Sequence, residues 1–133
     1  MSDLINRNQG DLFRYLLNSE TGIEIPKPFE RDIYLFDTYV AGTAHIEGID
    51  AIAGQLQVGD RLVFYREPEN EYDSQAIRIE TLKQEKIGYV PRQDNVIFSR
   101  LMDSGKVLFA KVIEKEKRGN WVKISIQIYL HES

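Results

Sequence analysis

The chain has 133 residues, enough for one domain around one core. Hydrophobic residues make up 42% and charged residues 29%, the balance of a folded soluble domain rather than a disordered one. There is no cysteine, which excludes disulfides and thiolate metal sites. The net charge of −4 argues against a protein that coats duplex backbone. The charge is uneven. Residues 1–60 carry 4 Lys/Arg and 10 Asp/Glu (4 − 10 = −6), and residues 61–133 carry 13 and 11 (13 − 11 = +2). An anionic partner is therefore expected at the second part, through local contacts. No apolar run approaches the ~20 residues that cross a bilayer. The opening MSDLINRNQGDLFRY lacks a signal-peptide pattern, and together with the absent cysteine this favours the cytoplasm as the expected location.

In chain order, residues 3–19 predict a helix. Leu12, Phe13, Leu16 and Leu17 share a stripe, and Asp11 after Gly10 offers a cap. Gly22 stops it, and Pro26 and Pro28 force an extended path. Residues 1–30 are read as an arm that docks on the domain or on a neighbouring chain, or as a loosely ordered tail. Residues 31–133 form the domain proper. Ile33–Phe36 and Tyr39–Ile46 read as strands rich in aromatic and β-branched residues. Gly42 inside the second marks a bulge or a close backbone approach. Gly59-Asp60 turns the chain into a strand through Leu62–Tyr65. AIRIE alternates, with Ile77 and Ile79 on one face, and KIGYV is a further short strand closed by Pro91.

A helix is expected from about Gln93 to Ser104. Ile97, Phe98, Leu101 and Met102 form its apolar stripe, and Gly105 sits where a left-handed C-cap belongs. VLFAKVIEKEKRGNWVKISIQIYL then reads as a long hairpin turning at Gly119-Asn120. Val122, Ile124, Ile126, Ile128 and Leu130 point one way; Lys123, Ser125 and Gln127 point the other. The fold class is mainly β with one or two helices. About six strands favour a small barrel or strongly curled sheet, preceded by a helical arm.

The catalytic inventory is poor. Two histidines, His45 and His131, lack metal-ligand spacing, and there is no phosphate-binding glycine loop and no nucleophile elbow. The acids Glu67, Glu69, Glu71 and Asp73 lack the pattern and central glycine of a calcium loop. The expectation is no enzyme, no metal and no cofactor.

Three stretches carry more: VAGTAH (Val40–His45), REPENEYDSQAI (Arg66–Ile77) and IGYVPR (Ile87–Arg92), the last followed by a helix ending LMDSG. Their order and spacing resemble the HIRAN domain family over about Asp37 to Gly105 and into the closing hairpin. The long middle motif is the specific part. The resemblance implies an OB-like β-barrel with a pocket for the 3′ end of single-stranded DNA, in a repair or replication setting and without catalysis. Carried over, Tyr72 stacks on the terminal base and Asp73 accepts from the 3′-hydroxyl. Asn70 braces that loop or contacts the nucleotide, and Gly42 lets the strand approach main-chain donors. Tyr89 and Arg92 face the same pocket, with Arg92 on phosphate. Thr43, Ala44 and His45 stand where eukaryotic members have an Arg-aromatic pair, so His45 is the candidate replacement for the aromatic partner. A carboxylate that takes a free hydroxyl but repels a phosphodiester selects strand ends.

Each residue also has a plain structural reading. Asp73 before Ser74 is Asx-turn chemistry, Asn70 suits a turn, and Tyr72 can lay its ring on the barrel. Gly42 suits a bulge and His45 an ordinary barrel side chain. Arg66 suits a pair with a neighbouring acid. Trp121 suits a hairpin anchor, and Lys115, Lys117 and Arg118 a solvated hairpin tip. The alternative function is a protein-interaction or self-association domain, with residues 1–30 as the assembly device.

Overall fold

The alternation in the last third of the chain builds the frame. Strand β5 (Val107–Arg118) and strand β6 (Trp121–Glu132) pair antiparallel across the turn at Gly119, whose φ of 61° is one that glycine adopts freely. Val122, Ile124, Ile126 and Ile128 all point into the core, as the alternation requires. The structure, a computed structural model, describes residues 30–132. The expected helix over residues 3–19 and, apart from Glu30, the arm of residues 1–30 lie outside the described residues.

Four further strands complete the sheet. They are β1 (Arg31–Tyr39), β2 (Arg61–Arg66), β3 (Ile77–Thr81) and β4 (Lys86–Tyr89). Their order is β1-β6-β5-β2-β3-β4, and every neighbouring pair is antiparallel. Leu35 and Ile113 fall at register shifts, which sharpen the curl. Beyond β1 the chain swings across to the other edge. Val40 still donates to Ile124 O at 2.9 Å, and Ala41 then exchanges hydrogen bonds of 2.8 and 2.9 Å with Tyr89 of β4. This bridge closes the curled sheet at one end. The core inside is apolar, with Leu62, Phe64, Ile77, Ile79, Ile87 and Val112 facing the β6 isoleucines.

Two helices cover the ends. Helix α1 (Ile49–Gln55) buries Ala53, and helix α2 (Asn95–Asp103) buries Phe98. The ring of Phe98 packs 5.7 Å from that of Phe36. Lys115 reaches back from β5 to the Ala53 and Leu56 carbonyls at the end of α1, so it caps a helix instead of lying free at a hairpin tip.

Four points differ from the sequence expectation. Tyr39–Ile46 is not a strand. Gly42 takes a left-handed φ of 79°, and Thr43–His45 coil into a 3-10 turn. Helix α1 has no counterpart in the sequence reading; IDAIAGQ is short and carries Gly54 in its interior. Ile97, placed in the apolar stripe of α2, is 69% exposed, while Asn95 and Ser99 turn inward. The close approach of the domain's own backbone, one of the two readings of Gly42, is found at Gly88. A Cβ there would lie 2.3 Å from Ala41 O, whereas one on Gly42 meets open space.

Candidate functional site

The loop from Glu67 to Ala76 joins β2 to β3 and is built almost wholly from its own polar groups. Glu67 N–H donates to Ala76 O (3.0 Å) and pins the two ends together. Asn70 N–H donates to Glu67 O (3.0 Å) and closes a first turn. The Asn70 side chain then holds both sides of that turn. Its Oδ1 accepts from Tyr72 N–H (2.8 Å) and Asp73 N–H (3.1 Å), and its Nδ2 donates to Glu67 Oε1 (3.0 Å). Asp73 Oδ1 accepts from Gln75 N–H at 2.9 Å, an Asx turn. Arg66 ties the loop to α2. Its guanidinium forks onto Asp103 at 2.9 and 3.2 Å and donates to the carbonyls of Ala76 (2.7 Å) and Ser74 (3.1 Å). The expected Arg66–acid pair is real, but its partner is distant in sequence.

Glu67 is the hub beneath the loop. It accepts from Arg78 Nη1 (2.7 Å), Tyr89 Oη (2.8 Å) and Asn70. Burial pushes its carboxyl up, but the hydrogen bonds from Asn70, Arg78 and Tyr89 and the Arg78 charge outweigh that and hold it below the usual carboxylate range. Asp73 behaves alike. Burial raises it, and Gln75 N–H, Asn95 and Arg92 bring it below its ordinary value. Both are anions at neutral pH.

Beside this loop lies a pocket of about 240 Å³, between the Ala41–Tyr89 bridge and the start of α2. Gly42, Asn70, Tyr72, Asp73, Tyr89 and Arg92 all line it, together with Asn95. Residues from three separate motifs thus meet in one place. His45 does not line it; it sits exposed on the 3-10 turn. The Tyr72 residue is 80% exposed, which leaves its ring free of the barrel. The Asp73 carboxylate is more engaged than its expected role requires. Oδ1 holds the Asx turn, and Oδ2 accepts from Asn95 Nδ2 (2.8 Å) with Arg92 Nε at 3.5 Å. Each carboxylate oxygen has two lone-pair directions, so capacity for a further donor remains.

Arg92 stands at the rim. Its Nη2 donates to Tyr72 O at 2.8 Å, and 70% of its side chain is exposed. Arg92 is largely exposed and its approach to Asp73 is long, so the guanidinium can turn to another anion at small cost. Tyr89 is fixed at both ends, with its hydroxyl on Glu67 and Lys86 Nζ 4.6 Å over its ring. Asn95 lines the pocket from outside the sequence motifs, while Glu67 and Gly88 lie inside them and support the pocket without lining it. A polar residue three positions before Phe98, on the inward face of a helix, is the available signal for Asn95. Among the described residues no cluster of three His, Asp or Glu is placed to hold a metal ion, and no helix is long and apolar enough to cross a membrane.

The comparisons with known proteins bear on the fold and the family. A solved protein from Lactobacillus plantarum is 28% identical, with a TM-score of 0.73 over 78% of this chain and 99% of that one. The HIRAN domain of human HLTF superposes with a TM-score of 0.60 at 14% identity, over 77% of this chain and 80% of that one, a likeness of fold. A SWI/SNF-related matrix-associated actin-dependent regulator of chromatin, subfamily A member 3-like 1, from Arabidopsis thaliana, is 25% identical over 97 residues. That match takes in 71% of this chain but 11% of the plant protein, so the chain spans about a tenth of that relative's length. The family model of the HIRAN domain matches residues 33–133, and the chain belongs to the HIRAN domain family.

Proposed function

We propose that this domain is a non-catalytic module that seats the 3′ end of single-stranded DNA in a DNA repair or replication setting. The observation that carries the reading is the free Tyr72 ring standing beside the Asp73 carboxylate at the mouth of the pocket. An exposed ring accepts any base by stacking, worth about 1–3 kcal/mol per base. The ionised Asp73 takes a terminal hydroxyl and repels a phosphate, so it reads an end. Arg92 leaves Tyr72 O for the penultimate phosphate. Gly42, left-handed and open above its Cα, leaves room for the strand near the backbone. The acidic balance of the chain fits an end reader, which touches few phosphates and needs no broad basic field. The name of the Arabidopsis relative, a regulator of chromatin, sits well with a DNA context.

Fluorescence anisotropy tests it with two oligonucleotides that differ only in a 3′-hydroxyl or a 3′-phosphate. The hydroxyl form is expected to bind at least about tenfold tighter, one charge-assisted hydrogen bond replaced by repulsion. Tyr72→Ala is expected to weaken the hydroxyl form by about 5- to 150-fold, the equivalent of the stacking energy. Equal binding of both ends, or none by either, sinks the reading.

A further inference from the structure

Asn95 opens α2 at the floor of the pocket and is 1% exposed. Its Nδ2 donates to Asp73 Oδ2 at 2.8 Å, while its Oδ1 is buried and has no hydrogen-bond partner. Among the described residues it is the one buried side-chain polar atom left so. The orientation is fixed by its neighbour. Exchanging the two amide atoms would press Oδ1 against the Asp73 carboxylate and orphan Nδ2 instead. A buried acceptor without a donor costs about 1–3 kcal/mol, a cost that alanine or leucine would not carry. The pocket already holds the chemistry that could relieve it. The terminal torsion of asparagine is broad, so a tilt of the carboxamide presents Oδ1 to the pocket. Asn95 Oδ1 then joins the Asp73 carboxylate as a second acceptor in the same pocket lining, the two side chains being linked through Asn95 Nδ2.

Two hydroxyls on adjacent carbons match such a pair, and deoxyribose ends in only one. We infer that Asn95 is a sugar-reading residue and that the pocket favours a strand whose last nucleotide is a ribonucleotide. Its 3′-hydroxyl goes to Asp73 and its 2′-hydroxyl to Asn95. This rests on the end-reading role proposed above and refines it. A DNA end is accepted but leaves Oδ1 unsatisfied; a ribose end satisfies it. A site built around a hydroxyl discriminates well against the analogue that lacks it, and the 2′-hydroxyl is the group that separates RNA from DNA.

The test uses the full chain and three oligonucleotides of one sequence, ending in deoxyribose, ribose or 2′,3′-dideoxyribose. Anisotropy is expected to show the ribose end binding about 5- to 10-fold tighter than the deoxyribose end, one neutral hydrogen bond to a formerly orphaned acceptor. Asn95→Ala, with its fold checked by circular dichroism, is expected to erase that difference. Equal affinity of the ribose and deoxyribose ends for the wild-type chain overturns the inference without needing any variant. So does a ribose preference that survives in folded Asn95→Ala. Dideoxy and deoxy ends of equal affinity instead overturn the role of Asp73, so failure of the parent reading is seen separately.

Discussion

The β5–β6 hairpin and the Glu67–Ala76 loop are held by opposite means. The hairpin is stabilised by an alternating row of isoleucines sunk in the core, and its side chains need only be apolar and of the right volume. The loop buries little apolar surface. It is held by a chain of named donors and acceptors, with Asn70 and Glu67 each making several contacts. Dispersion and burial spread their effect over many atoms, whereas a hydrogen-bonded loop concentrates it in a few. The first kind of structure tolerates exchange of similar residues. The second fixes identity, and it is where the pocket lies.

Substitution can break this contrast at both ends. The largest expected effect is in the hairpin: Ile126→Ala, at a fully buried site, should lower unfolding stability by about 2–5 kcal/mol in urea titration. In the loop, Asn70→Ala removes the acceptor for two backbone amides. A smaller loss of about 1–2 kcal/mol is expected in the same titration, together with weakened oligonucleotide binding. The two effects should add, since no contact is shared.

Acid sharpens the comparison. Glu67 and Asp73 have folded-state pKa values below their ordinary ones. A depressed carboxyl contributes stability above the unfolded-state pKa, about 4, and that stability is lost as pH falls from there through the folded-state value. The urea midpoint should therefore drop as pH is lowered below about 5, and Glu67→Gln should flatten the drop. Least affected in stability is Tyr72→Ala. An 80% exposed ring contributes little to folding, so a change within about 0.5 kcal/mol is expected, beside its large loss of binding. A Tyr72→Ala protein destabilised by several kcal/mol would mean that the ring is structural.

Legibility in the sequence divides along the same line. The hairpin, its turn at Gly119 and the α2 span are legible because alternation, apolar stripes and glycine punctuation are local signals. The meeting of Asn70, Tyr72 and Asp73 with Tyr89 and Arg92 is legible only through the family resemblance, since these residues lie far apart in the chain. Other features are hidden because they arise from tertiary contact. Asn95 meets Asp73 from 22 positions away, and Gly88 owes its need for no side chain to Ala41 across the seam. Helix α1 is hidden for a different reason: seven residues give too short a window for a 3.6-residue period to stand out. His45 is drawn toward the pocket by its neighbours in sequence, but the 3-10 turn carries it away.

The paired amides of Ala41 and Tyr89 act as a clasp on a hoop. A hoop cannot be widened by letting its staves slip; the clasp itself must part. The aperture beside it is thereby gauged by main-chain geometry, which every residue type shares. At Gly88, pressed against that clasp, an added Cβ would spring it. Sequence can drift widely around such an opening while its calibre stays the same.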